Sequence, residues 1–129
     1  MNTGSAQPAL RILVVDDHPS VRSGLTKFLE HEPDLDVIGT ASNGVEALAA
    51  AARLRPDLVL MDVSMPGMDG IETTRQLVAR NPELRVVMLT SVGGHSHMVE
   101  ALRCGASAYV VKDAAPAEVL RAVRTVAFG

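Results

Sequence analysis

The chain has 129 residues, enough for one domain with one sizeable core. Apolar residues make up 47% of it but only three are aromatic (Phe28, Tyr109, Phe128), so the core must be aliphatic. A net charge of −3 argues against a nucleic-acid surface in this segment, no apolar run nears the roughly 20 residues of a membrane span, and the single Cys104 excludes an internal disulfide.

Residues 1–9, opening "MNTGSAQP", lack the apolar stretch of a signal peptide and read as a disordered tail ahead of a domain over 10–129. A lone cysteine and no leader fit a reducing cytoplasm. The first strand is "RILVV" (11–15), which ends in Asp16-Asp17. Val21, Leu25, Phe28 and Leu29 then recur at helical spacing, with Pro19 in the first turn. A weaker strand, "DVIGTA" (36–41), precedes a helix whose face is Val45, Leu48 and Ala52. "DLVLM" (57–61) ends on Asp62 and gives way to a Pro/Gly loop, Pro66 to Gly70. Ile71, Thr74 and Val78 share the next helical face, which Asn81-Pro82 stops. "RVVML" (85–89) ends in Thr90-Ser91. Met98, Val99 and Leu102 predict a fourth helix, stopped at Cys104-Gly105. "AYVV" (108–111) ends in Lys112, and Val119, Leu120, Val123 and Val126 predict a fifth helix after Pro116.

Short β-branched runs alternating with helices imply strands buried on both faces of a parallel sheet. The expected fold is α/β, a flavodoxin-like doubly wound five-stranded parallel sheet in the order 2-1-3-4-5, with five helices. Ligands in such sheets bind at the C-terminal ends of the strands. Asp16, Asp17, Asp62, Thr90 and Lys112 all occupy strand ends, so three carboxylates, a hydroxyl and an ammonium converge on one rim.

Two carboxylates about 4 Å apart repel by roughly 4 kcal/mol at an effective dielectric near 20, so the rim must bind a cation or shift a pKa. An all-oxygen donor set selects a hard ion, Mg²⁺ with Mn²⁺ as substitute, over zinc. A metal, a carboxylate, a fixed cation and a hydroxyl donor together are equipment for phosphoryl transfer. Asp62, alone at a strand end, is the best nucleophile; Asp16 and Asp17 are better placed for the ion. Singly, each residue has an ordinary reading as a turn, a cap or a surface lysine; it is their convergence that argues for a site. His18 adjoins the acids and reads as a cap of the first helix. His95 and His97, two apart, do not share a helix face, so no metal site is read there. Met65 and Met68 read as cover for the underside of the loop.

The stretches "ILVVDDHPSVRSGL", "DLVLMDVSMPGMDGIE", "VVMLTS" and "ALRCGASAYVVKD" closely resemble the receiver domains of two-component response regulators, most of all the NarL/FixJ type. The resemblance implies that Asp62 is the phosphoacceptor, charged by a sensor histidine kinase. It implies a Mg²⁺ site made by Asp16, Asp17, Asp62 and the backbone carbonyl of Ser64. Lys112 would pair with the phosphate, Thr90 would turn toward it, and Tyr109 would be the aromatic switch that moves with Thr90. Where many receivers carry proline after the lysine, this chain has Asp113. The expected output is control of dimerisation or of a DNA-binding helix-turn-helix domain absent from this chain. A stand-alone receiver, a phosphorylation-independent interaction module and a small Mg²⁺-dependent phosphatase are the alternatives. The phosphatase needs a second acid two residues past the nucleophile, where this chain has Ser64. The protein is therefore expected to be a phosphoacceptor, not a turnover enzyme.

Overall fold

Five strands form where the aliphatic runs predict them. In the computed structural model, which describes residues 8–63, 65, 67–90, 102–111 and 116–129, they are β1 (Leu10–Val15), β2 (Leu35–Ala41), β3 (Leu58–Asp62), β4 (Arg85–Thr90) and β5 (Ala108–Val111). They form one parallel sheet in the order β2-β1-β3-β4-β5, as expected. The four helices among the described residues are α1 (Pro19–Glu30), α2 (Gly44–Leu54), α3 (Gly70–Arg80) and α4 (Pro116–Phe128). The helix expected at Met98, Val99 and Leu102 falls largely on 91–101, outside the described residues; Leu102 and Arg103 are helical. The residue 1–7 tail, Ser64, Pro66, Ser91, His95, His97, Lys112 and Asp113 also lie outside the described residues. No described helix is long and apolar enough to cross a membrane.

The core divides by strand parity, because successive side chains point to opposite faces of a sheet. Leu13, Val15, Val59, Met61, Val86 and Met88 pack under α2 and α3, with Ala47, Leu48, Ile71 and Leu77. Ile12, Val14, Leu58, Leu60, Val87 and Leu89 pack on the other face with Leu29 of α1 and Val119 and Val123 of α4. Residues Leu58 to Met61 of β3 are completely buried, as a central strand covered on both faces must be.

The helix faces of α1, α3 and α4 match the predicted ones. That of α2 does not: Val45 is 68% exposed and Ala52 is exposed. The buried residues are Gly44, Ala47, Leu48 and Ala50, with Ala51 half-buried, so of the expected face Leu48 alone turns inward. The Asn43 side chain fixes the phase by accepting the Glu46 N–H at 2.8 Å, which starts the helix with Gly44 packed against Thr73 and Met68 of the α3 segment. At the other end, the Arg11 guanidinium donates to the Leu54 and Arg55 carbonyls, both at 2.6 Å, and so joins the end of α2 to β1. Gly105 stops the residues before β5 at a φ of +108°, a left-handed conformation that suits glycine.

Candidate functional site

The site begins where the grease runs out. Val15 of β1 pairs with Met61 of β3, so Asp16 and Asp62 are the next residues on neighbouring strands. Both are enclosed: Asp16 is 0% and Asp62 2% exposed. Asp16 is held by its backbone, donating its N–H to Ala41 at 3.1 Å and accepting from the Arg22 guanidinium on its carbonyl at 2.8 Å. Asp62 is held from above and below. The next residue, Val63, donates to Leu89 of β4 at 2.9 Å, and Gly70 at the start of α3 donates to Val63 at 2.9 Å. A Cβ on Gly70 would overlap the Asp62 carbonyl, so only glycine lets α3 begin this close to the acid. Asp69 caps α3 by accepting the Glu72 N–H at 2.8 Å.

Asp16, Asp17 and Asp62 each offer a carboxylate oxygen, and His18 a ring nitrogen, all within 4.8 Å of one another. Each carboxylate pair at that spacing repels by roughly 3–4 kcal/mol at an effective dielectric near 20. Among the described residues, the enclosed Asp17 Oδ1 atom accepts no hydrogen bond, and His18 Nδ1 stands beside it at 3.1 Å. An enclosed carboxylate oxygen without a donor, among other carboxylates, is what a bound cation would relieve, so the donor set fits a divalent ion.

The expectation for His18 needs correction. It occupies the position before α1, but its side chain makes no capping bond. Its backbone N–H donates to Asp16 Oδ1 at 2.8 Å and its Nδ1 lies 3.2 Å from the same oxygen. Two negative charges attract the ring more strongly than an exposed helix end does. The donor set therefore contains a nitrogen, not oxygen alone. The sequence signal was adjacency to the acidic pair. Arg22, six residues past Asp16, carried no such signal.

Thr90 ends β4, one residue beyond Leu89, which pairs with Asp62, and is 4% exposed. Tyr109 pairs with Met88, two residues before Thr90, so Thr90 and Tyr109 fall on the same face of neighbouring strands. Tyr109 is half-buried and packs against the core under α2 and α3. Asp16, Asp17, Asp62 and Thr90 are thus gathered at one edge of the sheet. Ser64 and Lys112 lie outside the described residues.

Residues 12–124 match the response regulator receiver domain family. The DNA-binding transcriptional activator DevR/DosR of Mycobacterium tuberculosis is 43% identical over 93% of this chain and 55% of its own length. The chain spans about half the length of the curated relatives it matches. Among solved structures, the receiver domain of the putative response regulator NarL from Mycobacterium tuberculosis superposes with a TM-score of 0.87 at 31% identity, over 95% of this chain and 99% of that one. The CheX–CheY–BeF₃–Mg complex from Borrelia burgdorferi matches with a TM-score of 0.86 at 30% identity, over 92% of this chain and 90% of that one.

Proposed function

This chain belongs to the response regulator receiver domain family, and from that premise we propose that it is a phosphorylation-controlled switch with Asp62 as acceptor. The observation that carries the reading is the buried Asp62 at the end of a wholly buried strand, with Asp16 and Asp17 within 4.8 Å. The donor is a phosphohistidine on a sensor histidine kinase. An Asp62 oxygen attacks phosphorus, the phosphorus–nitrogen bond of the donor breaks, and the electron pair leaves on the imidazole nitrogen. Asp16, Asp17 and Asp62, with the Ser64 carbonyl, would hold Mg²⁺, which supplies positive charge against the phosphoryl oxygens. The CheY complex that matches this fold carries Mg and BeF₃, which supports that assignment.

The aspartyl phosphate adds negative charge and strong acceptor oxygens at the rim. Thr90 donates its hydroxyl to one of these oxygens and Lys112 pairs with another. Tyr109, on the same face as Thr90, follows into the space the threonine leaves. The surface around β5 and α4 is then biased between two states, and a dimer or an output domain reads it. The kinship with DevR/DosR, a DNA-binding transcriptional activator, supports DNA binding by a further domain as that output; a cytoplasmic setting suits the lone Cys104. Water later removes the phosphoryl group, and the protein turns over no small substrate. Ser64, where a phosphatase would carry its general acid, supports a switch over an enzyme.

Incubation with Mg²⁺ and acetyl phosphate or a cognate kinase should add one phosphoryl group, lost in Asp62→Asn. Labelling that persists in that variant would sink the assignment. Steady release of phosphate from small esters would favour the phosphatase.

A further inference from the structure

At the end of the sheet away from the acidic rim, the C-terminal ends of α2 and α3 border a cavity of about 560 Å³. We propose that this cavity binds a small organic anion, a single carboxylate on a compact apolar body. The site is separate from the rim: α3 begins at Gly70 against Asp62 and ends at Arg80 on the cavity, about 16 Å away along its axis.

Three observations carry it. First, the cavity has an apolar floor and the size of a ligand pocket. Leu48, Pro56, Leu77 and Leu84 line it and are buried, with Ala51 half-buried beside them. Pockets that take small molecules span about 300–1,000 Å³ and are mostly apolar, with a few polar groups at fixed places. Second, its cations are uncommitted. Arg55 and Arg80 also line it, both exposed, and neither guanidinium has a hydrogen bond or ion pair among the described residues. The carboxylate among the lining residues, Asp57, is engaged: its Oδ2 accepts the Arg11 N–H at 2.9 Å. Asn81 Oδ1 accepts the Glu83 N–H at 3.2 Å, which leaves the Asn81 amide nitrogen as a donor. Third, Arg55 holds a strained backbone. At φ 52° and ψ 63° it is the only non-glycine residue with positive φ among the described residues. Glycine would adopt this left-handed helix end at little cost. The conformation is fixed on both sides, with the Arg55 N–H on the Ala51 carbonyl at 2.9 Å and the Arg11 guanidinium on the Arg55 carbonyl at 2.6 Å. An arginine kept where glycine is favoured argues for a use of its side chain.

The electrostatics select the charge of the ligand. Two helix C-termini bring about half a negative charge each to this end of the fold. Asp57 adds one more, and Arg11, Arg55 and Arg80 outweigh the total by roughly one positive charge. Arg11 also covers the Leu54 and Arg55 carbonyls, which would otherwise repel an anion. That balance suits one carboxylate better than a doubly charged phosphate, and a guanidinium grips a carboxylate through two parallel N–H bonds.

The full chain tests this with naphthalene-2-carboxylate as the probe, by calorimetry and by backbone NMR in EDTA. One acid should bind per chain, and the uncharged naphthalene-2-carboxamide should bind about fivefold or more weakly. The largest shift changes should fall on α2 and α3 around Ala51 and Leu77. Arg80→Gln should weaken the acid about threefold or more. Arg55→Gly should do the same, and because glycine suits that backbone, the loss is not one of folding. Ala52→Phe, which fills the cavity from an exposed helix position, should abolish binding. Mg²⁺ and Asp62→Asn should leave the affinity unchanged. The proposal is overturned if the amide binds as tightly as the acid, if neither arginine variant weakens binding, or if the shifts map to the acidic rim. It is also overturned if no saturable binding appears up to millimolar concentration. Phosphorylation of Asp62 is read separately with acetyl phosphate, so that result would leave the proposed function standing.

Discussion

Replacing Asp62 by asparagine should stabilise the metal-free protein while abolishing its phosphorylation. Asp62 lies within 4.8 Å of Asp16 and Asp17 and is 2% exposed, so its charge meets two like charges with little water between. At an effective dielectric near 20, each pair costs roughly 3.5 kcal/mol, an upper bound of about 7 kcal/mol. Asp17 is a quarter exposed, His18 stands against it, and Asp16 and Asp62 have further interactions at this rim, all of which reduce the cost. A net gain of about 1–3 kcal/mol remains for the nearly isosteric amide. For a chain of this size that raises the melting temperature by about 3–12 °C.

The assay is thermal unfolding followed by circular dichroism in EDTA, repeated with Mg²⁺. In EDTA the variant should melt higher. With Mg²⁺ at ten times its dissociation constant, the unaltered protein should gain about 1.4 kcal/mol by linkage, and the variant less, because it has lost a ligand. A variant that melts lower in EDTA, or that gains as much from Mg²⁺ as the unaltered protein, would refute the crowded-carboxylate argument.

Three further outcomes follow from other parts of the molecule. Gly70→Ala should cost about 2–3 kcal/mol by urea unfolding and slow phosphorylation too, because the added methyl collides with backbone at Asp62 and Val63 that cannot swing aside. Arg124→Ala should lower the melting temperature at neutral pH, since Arg124 donates to Asp34 at 2.8 and 3.0 Å and to Glu32 at 2.6 Å. The arginine holds the Asp34 carboxyl below its ordinary 3.8, so this contribution is full above that pH and is lost as pH falls below it; the two proteins' melting curves, measured at successive pH values, should converge there. Burial pushes the Cys104 thiol up, and the residue is 7% exposed, so iodoacetamide at pH 8 should label the native chain at least about tenfold more slowly than the urea-unfolded chain.

How much of this was legible in the sequence depended on what each residue's neighbours were. β1, β3 and β4 could be read directly, because a strand covered on both faces is apolar at every position. β2 was faint: it is an edge strand, with Asp36 and Thr40 exposed between the buried Leu35 and Ala41. The face of α2 was misread because five of its eleven residues are alanine, which carries no periodic signal; packing at Gly44 and the Asn43 cap decide the phase. Asp16, Asp17, Asp62 and Thr90 were legible as strand-end residues, since the parallel topology sends all such ends to one edge. His18 was visible but misassigned. Its ring goes to the acids and not to the helix, a choice set by electrostatics that no spacing rule contains. The Arg22 and Arg124 contacts depend on tertiary approach and left no mark in the sequence.

A cluster of buried like charges survives here because its supports are separate from it. Leu58, Val59, Leu60 and Met61 are wholly buried, and each such side chain contributes about 1.5–3 kcal/mol, together far more than the few kcal/mol of net repulsion at the strand end. Position along the strand is therefore the controlling variable. Two residues earlier, the acid would replace Leu60 in the core, where an uncompensated charge has no solvent and no cation within reach. The last strand residue, Asp62, is held rigidly where the buried strand meets the rim. Rigidity is what a nucleophile needs, since a pre-oriented carboxylate lowers the entropic cost of an in-line attack. The residual repulsion is useful for the same reason. On the proposed function, it would make the metal-free rim less stable than the cation-loaded one, and so would couple metal binding, and through it phosphoryl acceptance, to the stability of the sheet edge.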